Sequence, residues 1–378
     1  MERPPHYDFR DVLWAPARAF SAKKILVMTW FLCLALVCYD VFTYAAAGIE
    51  GENLRQVYSV WGFFPFYVAS YDSAVAATVF GIGIAAAVLL IMLGFFGVAA
   101  INIEELRGNR FFSAVGAIRF ALGRFTQIFL SEFAIVLFVG FVVLLFVLFG
   151  VITRIPYLGE WLYGLFFVVP AFIIAICTVF IIFVFNVSVV LLPATAAAER
   201  NGECFTAILE TFSTVIRRPL HWAGYTAYAV IAGKVCAFVY AYFCYRAVQF
   251  TAVAAGFGGG SRLTDLIRSG LSHLPANSDF VRTAFNIFPG IDWSFSISQW
   301  TRGGSDDAAG YLMAVMLFLI FASIIGYLLA TVATAQARGY VAIRYRKDGY
   351  SIPDESPMFF TDEPVNPPLD DRAEDSGT

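Results

Sequence analysis

Three ionisable residues lie inside long apolar stretches of the sequence: Lys234, Glu132 and Asp40. Asn186 and Asn102 add amide groups near the ends of two further stretches. An ionisable group within a membrane is unfavourable unless it is paired, hydrated or able to reach the interface. The sequence therefore allows a buried Lys234–Glu132 pair that lines a hydrated cavity or a lipid-headgroup site. The alternative is a lone Lys234 that stabilises helix packing or reaches the interface, and both interpretations stay open.

The other chemistry-bearing residues form no catalytic or metal-binding motif. The three histidines, His6, His221 and His273, are scattered, and the six cysteines form no CxxC pair. The sequence contains no HExxH, phosphate-binding loop, nucleophile elbow or paired-carboxylate motif. It predicts no metal and no cofactor, and it favours a protein that is not an enzyme. A net charge of −3 without a dense basic stripe gives no reason to expect a nucleic-acid partner.

The elements that must position these residues are long apolar runs. Hydrophobic residues make up 60% of the chain and charged residues only 14%, whereas a soluble domain carries about a quarter charged residues. Each run can cross about 30 Å of hydrocarbon, and backbone groups in lipid must be satisfied internally, so the runs should be helices. The predicted fold is all-α, a polytopic transmembrane helix bundle with six spans, at about 25–47, 77–103, 127–152, 164–194, 222–250 and 309–337.

Lysine and arginine residues are concentrated on one side of this predicted bundle. They are frequent in the N-terminal segment, in the 104–126 and 195–221 loops and in the C-terminal segment, and fewer in the alternate loops. Basic flanks stay in the cytoplasm, so we expect a multi-pass protein of the plasma or inner membrane with both termini cytoplasmic. Residues 1–352 would form the transmembrane domain, with a long outer loop at 251–308. Residues 353–378 would form a disordered acidic cytoplasmic tail.

Three segments share apolar residues at i, i+4, i+7 and i+11, followed by basic residues and a span. They begin at Phe9, Phe111 and Phe205. Such a segment is typical of an amphipathic helix in the headgroup plane. Two copies also match upstream, in a pattern formed by Glu105, Gly108, Phe111, Glu199, Gly202 and Phe205.

The pattern predicts three repeated units, at about 7–107, 108–201 and 202–347, each consisting of an interfacial helix and a helical hairpin. The alternative is that any protein with basic cytoplasmic loops places such segments before its spans. We favour duplication because Glu, Gly and Phe keep the same register. Pro16 fits the first copy poorly, since proline suits the first turn of a helix and not its middle.

Small residues recur every four positions in three spans and predict close helix packing. The rows are Ala77, Gly81 and Ala85; Ala229, Gly233, Ala237 and Ala241; and Ala322, Gly326, Ala330 and Thr334.

Two stretches carry a resemblance to a known group of proteins. In the first, Leu192-Pro193 ends a span, Glu199-Arg-Asn-Gly202 precedes an amphipathic segment from Phe205, and Arg217-Arg218 precede the next span. The second is the stretch 340–350, which ends in Asp348-Gly349-Tyr350. The region 190–350 resembles prokaryotic multi-span proteins similar to the membrane domain of glycerophosphodiester phosphodiesterases and related families of unknown function. The resemblance implies an architecture and no chemistry.

Three functions follow as hypotheses. The first is a scaffold or accessory subunit of a membrane complex, whose partners are membrane lipids and a membrane protein or a second copy of the chain. The second is a small-solute or lipid transporter that uses Lys234 and Glu132. The third is an intramembrane lipid-modifying enzyme.

Overall fold

The structure is a computed structural model that describes residues 6–61, 71–152, 154–155, 157–166, 170–198, 204–259, 262, 265–267, 269–270 and 307–354. These residues are almost entirely helical, and none of them lies in a strand. The helices are α1 (Phe9–Leu13), α2 (Ala15–Ala19), α3 (Ala22–Glu50), α4 (Leu54–Trp61), α5 (Ala74–Leu106), α6 (Ala114–Gly123), α7 (Phe125–Ile152), α8 (Leu158–Phe166), α9 (Phe172–Ala198), α10 (Cys204–Arg217), α11 (Pro219–Gly259) and α12 (Asp307–Asp348).

Six of these helices, α3, α5, α7, α9, α11 and α12, are long and apolar enough to cross a membrane. The prediction of an all-α polytopic bundle with six spans is therefore confirmed. The boundaries differ in three places. The predicted fourth span, 164–194, overlaps the end of α8 and then α9, which continues to Ala198. Residues 251–259 of the expected outer loop continue α11, and α12 extends beyond 337 to Asp348. With 42 residues, α12 is about 63 Å long, about twice the hydrocarbon thickness.

The spans form an inner and an outer set. The inner helices α5, α9 and α12 contact one another, whereas α3, α7 and α11 pack on their outside. Each hairpin contributes one helix to each set, because α3 packs on α5, α7 on α9 and α11 on α12. Three short helices lie beside the inner set: α2 contacts α12, α6 contacts α5 and α10 contacts α9. The short helices α4 and α8 contact the outer helices α3 and α7.

Both ends of the described chain lie at the same end of the bundle, which we call the terminal end. The hydroxyls of Tyr7 and Ser351 form a hydrogen bond of 2.7 Å there. Burial is concentrated in the parts of the inner helices nearest this end, where residues 92–104 of α5, 191–198 of α9 and 330–343 of α12 are continuously buried. Towards the opposite end, residues such as Val75 and Leu312 are exposed. The inner helices thus pack most closely at the terminal end.

Glycines mark where the spans approach most closely. A Cβ added to Gly326 on α12 would clash with Thr29 of α3, and one added to Gly233 on α11 would lie 3.0 Å from Leu328 of α12. These two small-residue rows therefore lie at helix contacts, as predicted. The row at 77, 81 and 85 does not, because Gly81 has no neighbour within 4 Å. In that helix the close approaches to α3 are at Gly83, whose added Cβ would clash with Phe42, and at Gly94 and Gly97.

The short helices at the terminal end expose much of their apolar stripe. The first residues of two stripes, Phe111 and Phe205, are 97% and 68% exposed. The first segment is broken at Trp14 into α1 and α2, so that Pro16 falls in the first turn of α2, where proline is tolerated. The break removes the objection that Pro16 raised against the first copy.

Several predicted features lie outside the described residues. They are Glu199 and Gly202 of the second repeat motif, most of the outer loop (271–306) and the acidic tail from residue 355 onward.

Candidate functional site

A buried polar group is centred on Lys24, in the first turn of α3. The Lys24 side chain is 1% exposed, and its ammonium donates three hydrogen bonds: to the Arg18 carbonyl (3.0 Å), to Asn102 Oδ1 (2.8 Å) and to Glu105 Oε2 (2.7 Å). An ammonium has three N–H donors, so all of them are used. A cation at a helix N-terminus opposes the helix dipole, and the carboxylate and the two carbonyl oxygens offset this.

Glu105, in the last turn of α5, accepts from both lysines of α3. Its second oxygen, Oε1, lies 2.7 Å from the Lys23 ammonium, which also donates to the Arg110 carbonyl at 3.2 Å. The geometry follows from the hairpin, because α3 begins and α5 ends at the same level of the bundle. The Lys23 side chain is 23% exposed, so this second pair lies at the rim.

Asn102 extends the group to the sixth span. Its amide nitrogen donates to the Val98 carbonyl (2.8 Å) and to Thr334 Oγ1 on α12 (3.1 Å). Asn102 and Thr334 are fully buried. We call Lys23, Lys24, Asn102, Glu105 and Thr334 the Lys24 cluster, and it connects α3, α5 and α12 through hydrogen bonds.

A second buried pair joins α5 to the fourth span. Glu104 and Arg107 form an ion pair of 3.5 Å, and their side chains are 2% and 0% exposed. Arg107 also donates to the Ala198 carbonyl at the end of α9 (3.2 Å). Because the last carbonyls of a helix have no partner within it, this bond satisfies one of them.

Further ion pairs attach the short helices to the extension of α12. Glu210 of α10 lies 2.6 Å from Arg344 and 2.6 Å from Lys347. The Tyr7 ring stacks on Tyr345 with 3.8 Å between ring centroids, and Arg346 donates to the Tyr7 carbonyl at 2.9 Å. Since these groups hold both ends of the described chain against the bundle, their arrangement fits a structural role. Among the described residues no group of three or more His, Cys, Asp and Glu side chains could hold a metal ion.

The structure does not bring Lys234 and Glu132 together. Lys234 is half-buried on α11, beside Gly233, and forms no hydrogen bond or ion pair with any described residue. Glu132 lies on α7 and is 6% exposed, and its described hydrogen-bond partner is the Ser188 hydroxyl of α9, 2.7 Å from Oε1. Within the described residues, Lys234 and Glu132 therefore form no ion pair.

The other two predicted intramembrane residues are also apart. Asp40 is half-buried on α3, and its Oδ1 has no hydrogen-bond partner among the described residues. Asn186 is exposed on α9 and donates to the Ile182 carbonyl of its own helix at 2.8 Å. Asn186 therefore lines no shared polar site with the described residues.

The described repeat-motif residues lie at the terminal end. Glu105 is a member of the Lys24 cluster, and Gly108 has φ +95°, a left-handed conformation that favours glycine at a helix end. Gly349, in the last motif of the chain, has φ +68° at the end of α12.

Sequence reasoning missed Lys24 as a buried group, because basic residues before a span count first as orientation signals. The available signal was the hairpin itself, which places the beginning of α3 beside Glu105.

No family model, curated protein or solved structure matches this chain.

Proposed function

We propose that this integral membrane protein is a non-catalytic scaffold or accessory subunit of a membrane complex, in the plasma or inner membrane. The observation that carries the proposal is the use of buried charge at the terminal end. Lys24, Glu105, Glu104 and Arg107 all bond to other parts of the same bundle. Bonds of this kind hold helices in place, which is the role expected of buried charge in a structural subunit.

The terminal end faces the cytoplasm in this proposal. Its support is the concentration of Lys and Arg residues in the four segments at that end. The exposed apolar stripes that begin at Phe111 and Phe205 would then lie in the inner leaflet, with basic residues at the headgroups. Membrane lipids are therefore the first partners of this surface.

The bundle consists of three repeated units, 7–107, 108–201 and 202–347. Support comes from the order of contacts. The interfacial helices α6 and α10 each pack on the inner helix of the preceding unit, α5 and α9. In the same way α2 of the first unit packs on α12 of the third, so the three units form a ring. Each unit also supplies one inner and one outer span. A ring of three similar units has three similar outer faces, a suitable arrangement for a subunit that contacts several neighbours.

The test is the composition of the particle that leaves the membrane. Tagged protein is extracted directly into polymer nanodiscs and its complexes are identified by native mass spectrometry. A second membrane preparation, which contains the untagged protein and is isotope-labelled throughout, is mixed in before extraction. A partner that joins the tagged protein only after extraction can then carry the label, whereas a partner from the original membrane does not. We expect a fixed stoichiometry with a membrane-protein partner or a second copy. A lone monomer in nanodiscs would contradict the scaffold proposal.

A second candidate function is transport of a small solute or lipid through Lys234 and Glu132. The observation that favours it is a half-buried lysine within a span, without a described partner. Proteoliposomes that contain fluorescent lipids measure lipid movement between leaflets. Movement by the wild type that is lost in Lys234→Met supports transport, whereas equal rates in both proteins reject a role for Lys234.

A further inference from the structure

The Glu132 carboxyl on α7 contacts a serine hydroxyl that has a second acceptor. Glu132 Oε1 is 2.7 Å from Ser188 Oγ, and Ser188 Oγ is also 2.6 Å from the Phe185 carbonyl oxygen. A serine hydroxyl has one hydrogen to donate. If Glu132 were ionised, two acceptors would share that single hydrogen, and one short contact would be made without a full hydrogen bond.

A proton on Glu132 satisfies both contacts. The Glu132 hydroxyl then donates to Ser188 Oγ, and Ser188 donates to the Phe185 carbonyl. We assign the hydrogens in this way because each of the two short contacts then has a hydrogen of its own.

The remaining carboxyl oxygen supports the same assignment. Glu132 Oε2 is buried and has no hydrogen-bond partner among the described residues. Leaving a charged oxygen in this state costs far more than leaving the carbonyl oxygen of a neutral acid. The amide of Gln127, 7% exposed and one turn earlier on α7, also has no partner there, so no described donor from this direction stabilises an anion.

No described cation neutralises Glu132. The titratable side chains described on the elements that pack against α7 are Glu104 and Glu105 of α5, with Arg107 directly after it, Arg119 of α6, Glu160 and Tyr163 of α8, Cys177 of α9, and Glu210 and Arg217 of α10. None of them forms an ion pair with Glu132 in the described structure. This distinguishes Glu132 from Glu105, which meets two ammonium groups at 2.7 Å.

We propose that Glu132 is an intramembrane proton-binding site, protonated near neutral pH, that donates through Ser188 to the Phe185 carbonyl. The proton is taken up from hydronium, which is left as water, and the folded bundle then contains a neutral acid at this position. This proposal stands independently of the scaffold function, since it concerns the charge of one buried group. A bound monovalent cation is the rival occupant, because it would require the ionised carboxylate.

Infrared spectroscopy of the full chain in lipid nanodiscs, with isotope-labelled glutamate, tests the proposal. A protonated glutamate gives a carboxylic C=O stretching band that moves with the label. Near neutral pH we expect this band in the wild type and in the matched control Glu160→Gln, whose exposed side chain lies on α8. We expect its loss in Glu132→Gln. A wild-type spectrum without the band, or a band that persists in Glu132→Gln, would overturn the proposal and leave the ionised carboxylate.

A second variant keeps the test decisive if Glu132→Gln fails to fold. Ser188→Ala retains the acid and removes its acceptor, so the band should remain and shift to the higher frequency of a carboxyl that donates no hydrogen bond. An unshifted band in folded Ser188→Ala would contradict the assigned hydrogen bond.

Discussion

The α3–α5 and α7–α9 hairpins place carboxylates in two different environments. Glu105 lies where α5 ends beside the first turn of α3, and it meets Lys23 and Lys24 at 2.7 Å. Glu132 lies within α7, and its described partner is one hydroxyl. In the first hairpin the charge is retained and joins three spans, whereas in the second the carboxyl is neutral. The comparison shows that the level of a carboxylate along its hairpin decides whether it forms an ion pair. Glu105 lies level with the lysines of the neighbouring helix, and Glu132 does not.

The strongest test of this comparison removes Lys24. Lys24→Met leaves Asn102 Oδ1 without its lysine donor and Glu105 with Lys23 alone. Breaking a buried ion pair costs about 3–5 kcal/mol when the remaining charge is left uncompensated. Because Glu105 keeps Lys23, we expect a loss near the lower end of that range. The matched control, Lys23→Met at the rim, should cost about 1 kcal/mol or less. The stability of both purified variants is measured by thermal unfolding. Equal losses of stability would show that the burial of Lys24 adds nothing to its contribution.

Close helix packing gives the next largest effect. Gly326→Ala places a methyl group against Thr29 of α3, and such overpacking costs about 1–3 kcal/mol. Gly81→Ala is the control, because an added Cβ there has no neighbour within 4 Å and alanine favours helix by about 1 kcal/mol over glycine. Thermal unfolding in the same detergent should therefore fall for the first variant and stay level or rise for the second.

In the α7–α9 hairpin we expect a smaller loss. Ser188→Ala removes one hydrogen bond to Glu132 and should lower the free energy of unfolding by about 1 kcal/mol. The measurement is unfolding in mixed micelles near neutral pH. A loss as large as that of Lys24→Met would mean that this hairpin depends on its polar contact as strongly as the first.

The smallest effect is expected at the unpaired lysine. Lys234→Met removes no described hydrogen bond, so stability should change by less than about 0.5 kcal/mol or rise slightly. The same substitution at Lys24 and Lys234 thus separates a paired from an unpaired lysine. A large loss in Lys234→Met, again measured by thermal unfolding, would reveal a partner outside the described residues.

The membrane architecture could be predicted from the sequence, because apolar run length alone determines which segments can cross a bilayer. The amphipathic stripes that begin at Phe111 and Phe205 were also visible as a spacing. The start of α8 at Leu158 was not, since the run predicted as the fourth span begins only at 164.

The pairing of buried charges was predicted poorly. Lys234 and Glu132 were linked because both lie within spans, but pairing also requires adjacent helices and a shared face, and spacing along the chain determines neither. Lys24 and Glu105 could have been linked by the hairpin rule, because both lie at the same end of consecutive spans. Asn102 and Thr334 required the contact between α5 and α12, which depends on how the three hairpins associate.

A double-mutant cycle between Lys24 and Glu105 tests most directly whether the buried pair stabilises the bundle. Unfolding free energies are measured for the wild type, Lys24→Met, Glu105→Gln and the double variant, with Lys23 unchanged throughout. We predict a coupling energy of about 1–3 kcal/mol, because the two side chains share a buried hydrogen bond of 2.7 Å. Additive effects, with a coupling below about 0.3 kcal/mol, would contradict the account.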